Sequence, residues 1–181
     1  MTAPRTLVVR PERAADAAAI RAVHILAFAG DGHDGSSEAG IVDAIREDTA
    51  FIPELSVVAD LSGTIVGHLV LSRGVIETAT GAVPCLALGP VGVLPGYEAH
   101  HVGTRMMRHA LAEAVRLGHR LAVVLGHPKY YRRFGFRPAR PRGVTSRWDV
   151  PDDVFMVMEL VPGALDGVSG QVRYPRAFDT V

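Results

Sequence analysis

The sequence predicts a single α/β domain of the α+β kind, with a mixed sheet carrying helices on its faces, and three observations predict it. Short apolar runs of strand length alternate with amphipathic stretches of helix length in the order β-α-α-β-β-β-α-β-α-β. Two neighbouring runs are joined by so short a turn that they must pair as an antiparallel hairpin. A further run, residues 85–94, is almost wholly apolar, as expected of a central strand covered on both faces.

The elements follow in order. Residues 6–10 make a strand that Pro11 ends. Residues 16–28 carry Ile20, Val23, Ala27 and Phe28 at helical spacing. The polar run 30–37 is a loop, and Ser37 is placed to cap a second helix whose apolar face is Ile41, Val42 and Ile45. Pro53 separates that helix from a strand over residues 55–60, and a turn at 61–64 returns the chain along 65–72. Residues 103–117 space Met106, Ala110, Leu111, Ala114 and Val115 as a helix that Gly118 stops. A buried strand follows at 121–125, a short helix at 130–134 closed by Gly135, and a last strand at 154–161. Residues 1–161 are thus the domain and 162–181 a tail packed on it. Val172, Tyr174 and Phe178 suit a tail that packs, or one that binds a partner chain, which leaves room for a homodimer.

Composition narrows the function. The chain has 181 residues, and its 19 Lys+Arg balance 19 Asp+Glu, so no single-sign field steers it to nucleic acid or to an anionic membrane. Residues 78–97 carry no charge, but Pro84, Pro90 and Pro95 break them, so they are not read as a spanning helix of about 20 residues. Residues 1–6 lack the layout of a signal peptide. Cys85 is the single cysteine, which excludes an internal disulfide and fits a reducing compartment. The expectation is a soluble, cytoplasmic protein. Cys85 follows Pro84 in an apolar strand, where a thiol is usually inert rather than nucleophilic. No histidines or acids have metal-ligand spacing, and the adjacent His100 and His101 would seldom ligate one ion, so no metal is expected.

Two stretches carry chemistry. Residues 88–104 run from a buried strand through a loop of small and polar residues directly into an amphipathic helix. Backbone N–H groups at such a helix start have no intrahelical partner and face the positive end of its dipole, so the geometry suits a phosphate. Gly103 permits close approach and Thr104 can add a hydroxyl; the alternative is a plain strand-to-helix connection. Residues 126–136, Gly-His-Pro-Lys-Tyr-Tyr-Arg-Arg-Phe-Gly-Phe, follow a buried strand and end at a glycine corner. A tyrosine hydroxyl there can donate a proton, or Tyr130 and Tyr131 only pack.

Together the two stretches resemble the GNAT acetyltransferases, more narrowly their YhbS-type members. The likeness extends to Glu38 with Ile41, Val42, Ile45 and Arg46, to Val66-Gly67-His68, to Leu125-Gly126-His127-Pro128 and to the tail segment 162–170. The resemblance implies a twisted, mostly antiparallel sheet with splayed central strands, and acetyl-CoA as co-substrate. It implies a pantetheine arm bonded to the backbone of Val91, Gly92 and Val93. It places the pyrophosphate on the N–H groups of Ala99, His100, His101, Val102, Gly103 and Thr104. An amine of a small molecule or protein would attack the thioester without an acyl-enzyme, and Tyr131, matching the family's usual general acid, would protonate the departing thiolate. Acceptor pockets in such proteins come from the first two helices, their loop and the last strands, here including residues 30–37 and 140–150.

The family loop pattern is Gln/Arg-x-x-Gly-x-Gly/Ala, and here those places hold Glu98, His101 and Gly103. A carboxylate about 8 Å from a diphosphate costs about 0.5 kcal/mol in high dielectric and about four times that in an intermediate one. His101 is tolerable there if its torsions are ordinary and its ring points away. The departure motivates an alternative, a non-catalytic acyl-CoA-binding or regulatory module with an eroded pyrophosphate loop. Glu38 is the candidate general base, or else a first-turn acid favouring its helix dipole. His68, inside a strand, reads as a packed or hydrogen-bonded histidine, His127 as a shaper of the acyl pocket, and His24 lies on a helix with no metal-like spacing to other histidines or acids.

Overall fold

The computed structural model describes residues 6–30 and 32–180. Residues 1–5, 31 and 181, which belong to the leader, polar-loop and tail readings, lie outside the described residues. In chain order the elements are β1 (Leu7–Pro11), α1 (Ala17–Phe28), β2 (Ala29–Gly30), β3 (His33–Asp34) and α2 (Ser36–Glu47). Then come β4 (Ser56–Leu61), β5 (Thr64–Thr78), β6 (Gly81–Val93), α3 (Val102–Arg116), β7 (Leu121–Leu125) and α4 (Pro128–Tyr131). The chain finishes with β8 (Arg137–Pro138), β9 (Val144–Thr145), β10 (Phe155–Glu159) and β11 (Gly170–Arg173).

The strands lie in the order β1-β4-β5-β6-β7-β10-β8, with β11 joined to the distal half of β5. Pairing is antiparallel except between β6 and β7 and between β9 and β11. The mixed sheet of the sequence reading is therefore present, mostly antiparallel, with helices on both faces. The stretch read as a tail does more than pack, because β11 supplies four residues to the sheet edge, Gly170 to Arg173 opposite Thr78 to Val75. A Cβ at Gly170 would run into the Glu77 carbonyl, so only glycine lets β11 come this close.

Alternation along the strands sends one set of side chains to each face. On one face α3 buries Val102, Met106, Met107, Ala110 and Ala114 against Leu69, Leu71, Leu86, Leu88 and Val124. Truncating Met106, which is 0% exposed, would cost about 2–5 kcal/mol. On the opposite face α1 and α2 bring Ile20, Val23, Ile41 and Ile45 to Val58 and Val70. The C-terminal segment covers the rest of that face, laying Val172 and Tyr174 over Cys85, Ala87 and Val123.

Helix α2 begins one residue before the expected cap. Gly35 is its N-cap at φ 73°, and Asp34 accepts the Ser36 N–H at 2.8 Å. The sequence alone places that role on Ser37. A carboxylate two residues ahead of the free amide does the same work as a hydroxyl cap.

A buried polar chain ties α1 and α2 to the sheet. His24 of α1 meets His68 of β5, Nε2 to Nδ1, at 2.8 Å. His68 Nε2 lies 2.9 Å from Ser56 Oγ on β4 and 3.3 Å from Glu12 Oε2. Ser56 donates to Glu12 at 2.6 Å, and Arg46 of α2 grips the same carboxylate through Nε at 2.7 Å. Burial pushes the Glu12 carboxyl up, but the hydrogen bonds from His68, Arg46 and Ser56 outweigh it and hold it at about 2. Burial, with the charges of His68 and Arg46, pushes His24 down to about 3. Burial also lowers His68, against the raising effect of Glu12.

These shifts set a pH dependence. A histidine whose folded pKa is depressed binds its proton in the unfolded chain first, so its contribution is complete above about 6.5 and fades as pH falls. Stability should drop between pH 6.5 and the folded value of about 3 for His24. The loss should approach about 1.4 kcal/mol per pH unit for each buried histidine. Glu12 adds to the loss between its unfolded value of 4.5 and about 2. Urea midpoints measured from pH 7.5 to 4 check this, and a flat profile between pH 7 and 5 would show that the pair is not buried neutral.

Candidate functional site

The site starts where two central strands stop pairing. β6 and β7 run parallel only across Leu86–Leu88 and Ala122–Val124. Beyond Leu88, β6 bulges: Leu71 faces Leu88 while Leu69 faces Val91, so Gly89 and Pro90 both lie opposite Val70. Such a bulge re-aims the strand and breaks its pairing. Past it β6 stays with β5 and leaves β7.

The free edge can be read from the ladder. Leu94 N–H donates to Val66 C=O at 2.9 Å. Bonded and non-bonded pairs alternate in an antiparallel ladder, so Gly92 turns its peptide groups to His68 on β5. Val91 and Val93 turn theirs the other way, into the gap. A Cβ at Gly92 would sit 3.1 Å from His24 Nδ1, so this residue packs on α1.

A loop leads from this edge to α3. Its turns use Tyr97 N–H to Leu94 C=O at 3.0 Å and His100 N–H to Tyr97 C=O at 3.2 Å. The first helical bond runs from Arg105 N–H to His101 C=O at 2.9 Å, so the amides of Val102, Gly103 and Thr104 precede it and have no intrahelical partner. His101 sits at φ 56°, ψ 23°, a left-handed conformation. The sequence reading allowed His101 on condition of ordinary torsions. The turn into α3 requires the left-handed state that glycine takes most readily, and His is among the residues that tolerate it. Glu98 folds back on its own loop, its Oε2 accepting the Gly96 N–H at 2.8 Å.

The opposite wall comes from β7 and α4. Gly126 follows β7, and a Cβ there would overlap Tyr131 Cε2, so the edge of the ring comes up against bare main chain. Tyr131 meets Tyr130 edge-on at 5.0 Å and Phe136 at 5.9 Å. The Tyr130 hydroxyl lies where a Cβ at Gly103 would come within 2.7 Å of it, so the short helix touches the start of α3. Arg133 stacks on Tyr130 at 4.6 Å. Burial, then the neighbouring Tyr130, pushes the Tyr131 phenol well above its ordinary value, so it keeps its proton at neutral pH.

Between the walls is a cleft of about 390 Å³. Val91, Val93, Gly103, Thr104, Tyr130 and Tyr131 line it, with Glu98, His101, His127 and Arg133 around them. Val91, Val93, His101, Gly103, Thr104 and Tyr131 of the sequence reading thus share one cavity. Val102 is buried in the core, His100 is exposed, and Ala99 lies in the turn Glu98–His100. Glu38 is half-buried in the first turn of α2, outside the cleft lining. Tyr130, which the sequence leaves open between packing and chemistry, belongs to it, as does Arg133. A larger groove of about 530 Å³ beside Arg73, Arg173 and Arg176 borders the distal half of β5, away from the free edge.

Cys85 is 4% exposed, and burial pushes its thiol up to about 12. Among the described residues no group of three or more His, Cys, Asp or Glu could hold a metal ion. No helix among them is long and apolar enough to cross a membrane.

Comparison with known proteins gives these similarities. The family described as "Acetyltransferase (GNAT) domain" matches residues 8–139. The "Uncharacterized N-acetyltransferase YjhQ" of Escherichia coli (strain K12) is 32% identical over 139 residues, 76% of this chain and 74% of that protein. The "Uncharacterized N-acetyltransferase YhbS" of the same strain is 28% identical over 173 residues, 96% of this chain and 99% of the other. The crystal structure of Escherichia coli YhbS in complex with CoA superposes with a TM-score of 0.88 at 26% identity, covering 99% of this chain and 95% of that one. A Brucella melitensis GNAT family acetyltransferase in complex with acetyl-CoA gives 0.78 at 34% identity, over 96% and 99% of the two chains.

The left-handed His101 supplies a test. A non-glycine residue there costs about 1–2 kcal/mol, of which glycine's extra unfolded-state entropy would return about half. His101→Gly should therefore raise the melting temperature by about 2 °C, read by calorimetry. A lowered melting temperature would mean the ring makes contacts worth more than the backbone cost.

Proposed function

The chain belongs to the GNAT acetyltransferase family, and on that premise we propose that it transfers an acetyl group from acetyl-CoA directly to a primary amine of a small molecule or a protein. The observation that carries the proposal is the parting of β6 from β7, which sets free peptide groups, a helix mouth and a phenol around one cleft. The two neighbours crystallised with CoA and acetyl-CoA support the same co-substrate.

The cleft fits that molecule on three counts. The peptide groups of Val91 and Val93 match the amide-bearing pantetheine arm as a strand matches a strand. The amides of Val102, Gly103 and Thr104, at the positive end of α3, match a diphosphate. Gly103 has no side chain where Tyr130 and the ligand must both approach. Of the residues predicted for this role, Gly92 has its peptide groups facing β5, and His100 has its N–H on Tyr97. The reading therefore puts most of the grip on Val91, Val93 and residues 101–104, with Ala99 and His100 at the margin.

Acetyl-CoA supplies an activated thioester. The chain's residues do the rest. Tyr131 holds a proton that burial keeps on the phenol and offers it to the leaving sulfur. The packing of its ring on Gly126 and Phe136 fixes the direction in which the hydroxyl points. No residue needs to carry the acyl group, and Cys85, buried with a raised pKa, is a poor nucleophile. Glu38 lies in the first turn of α2, where its charge favours the helix dipole, and the reading assigns it that role ahead of proton abstraction.

A second reading has one observation behind it. The Glu98 carboxylate lines the cleft beside the α3 mouth, where it repels a diphosphate. Tight CoA binding without turnover on any amine would favour an acyl-CoA sensor.

Two experiments test the first reading. Tyr131→Phe should lower kcat by roughly 100-fold in thiol release from acetyl-CoA with a panel of primary amines, while the calorimetric Kd for CoA stays within about threefold. Unchanged turnover would remove Tyr131 from the acid role. Glu98→Gln should tighten CoA binding by about two- to tenfold, more at low salt than at high. An unchanged Kd would show that the carboxylate does not face the diphosphate.

A further inference from the structure

The buried histidine chain has an open end, and its direction can be assigned from the network. Ser56 has one hydroxyl proton, and it goes to the Glu12 carboxylate at 2.6 Å. Ser56 Oγ therefore accepts from His68 Nε2 at 2.9 Å. A neutral ring protonated on Nε2 accepts at Nδ1, so His24 gives its own Nε2–H to His68 across 2.8 Å. His24 Nδ1 is then a bare acceptor. It is buried and has no partner among the described residues, in a residue that is 0% exposed. Leaving such a group unpaired costs stability, so packing alone gives no reason for a histidine here.

The lone pair abuts Gly92, where a Cβ would come within 3.1 Å of Nδ1. Gly92 stands between Val91 and Val93, the two residues whose peptide groups face the splay. α3 and the proposed diphosphate site lie on one face of this strand, and His24 lies on the other, with α1 and α2. On the face opposite α3, α1 closes over Gly92, with Ala27 Cβ 3.3 Å and His24 Nδ1 3.1 Å from where a Cβ would stand, so an amine approaching the thioester from that face reaches Nδ1 by displacing this contact.

We propose that His24, backed by His68 and Glu12, takes the proton from the attacking amine. The proposal rests on the acetyl-transfer reading above. Once the bound amine has displaced the contact of α1 with Gly92, the ammonium N–H bond breaks and its proton bonds to His24 Nδ1. The His24 Nε2–H passes to His68 Nδ1. His24 ends neutral in its other tautomer, and His68 ends as an imidazolium whose Nε2–H faces Ser56 and Glu12 Oε2, 3.3 Å away. No electron is gained or lost, and the freed nitrogen lone pair is the nucleophile. The proton returns to solvent by the reverse path after the product leaves. The groups facing the pair are Glu12 after β1, Arg46 of α2 with Asp43 beside it, Ser56 of β4, and Phe28 of α1, stacked on His24 at 5.9 Å. Burial keeps both rings neutral, and the anionic Glu12 favours a proton on His68.

The test compares two acceptors, ethylamine, which is protonated at neutral pH, and 2,2,2-trifluoroethylamine, which is largely neutral there. His24→Asn should lower kcat/KM for ethylamine by about 100-fold and for the fluorinated amine by less than about threefold, with CoA affinity unchanged. Equal losses for both amines would mean a structural role and overturn the proposal. Glu12→Gln should slow ethylamine transfer and move the acid limb of its pH profile to lower pH, because the carboxylate raises the His68 pKa. An unmoved limb counts against the relay. Independently of turnover, long-range ¹⁵N NMR of the full chain should find His24 neutral with a bare Nδ1 at pH 7. A proton on Nδ1 overturns the assignment. Calorimetry separates the two levels: absent CoA binding sinks the acetyl-transfer reading, whereas intact CoA binding with a protonated Nδ1 sinks only the relay.

Discussion

The constraint on which the rest depends is that two parallel strands cannot stay paired once one of them bulges. Three residues of β6 pair with three of β7, and then Gly89 and Pro90 turn β6 aside. The peptide groups past that point have lost their neighbour within the sheet, and buried peptide groups demand partners. Everything else at the site surrounds that demand. The loop after β6 feeds α3 so that its first amides point to the same gap, and β7 delivers the tyrosine pair of α4 to the far side. The sheet stays intact elsewhere because β5 holds β6 along its length, with β11 adding to β5 beyond.

The fold was legible because its signals are local. Strand runs, the hairpin turn and the apolar face of α3 each lie within a window of about 15 residues, where periodicity is strongest. The expected helix at 103–117 differs by one residue from Val102–Arg116, within the usual fraying of an end. Misjudgements came where local preference met a tertiary contact. Residues 170–173 have little strand periodicity, and they are a strand because β5 offers them an edge. Ser37 had the chemistry of a cap, but Asp34 was held closer by the small β2–β3 hairpin.

The site was legible only in part, for the same reason. Gly103, Thr104 and Tyr131 fall in two short runs whose spacing shows on the page. Which of Val91, Gly92 and Val93 turn outward depends on the bonding phase of β6 against β5, and no sequence pattern fixes that phase. The His24–His68–Glu12 chain was invisible altogether. Its members stand on three separate segments, and each alone resembles an ordinary packed or surface residue. Only the crossing of α1 over β5 brings them into line. The left-handed His101 is a further case, since the residue type tolerates that conformation without requiring it.

The C-terminal segment lies over Cys85 through Val172 and Tyr174, and these cover the lone thiol of the chain. The sulfur therefore serves as a built-in gauge of whether the last stretch is seated. While β11 holds its edge, an alkylating reagent finds a protonated, shielded group. Each time the segment lifts, the thiol meets water and recovers ordinary acidity. The labelling rate at this one atom thus counts excursions of the C-terminal cover, without any probe having to be introduced.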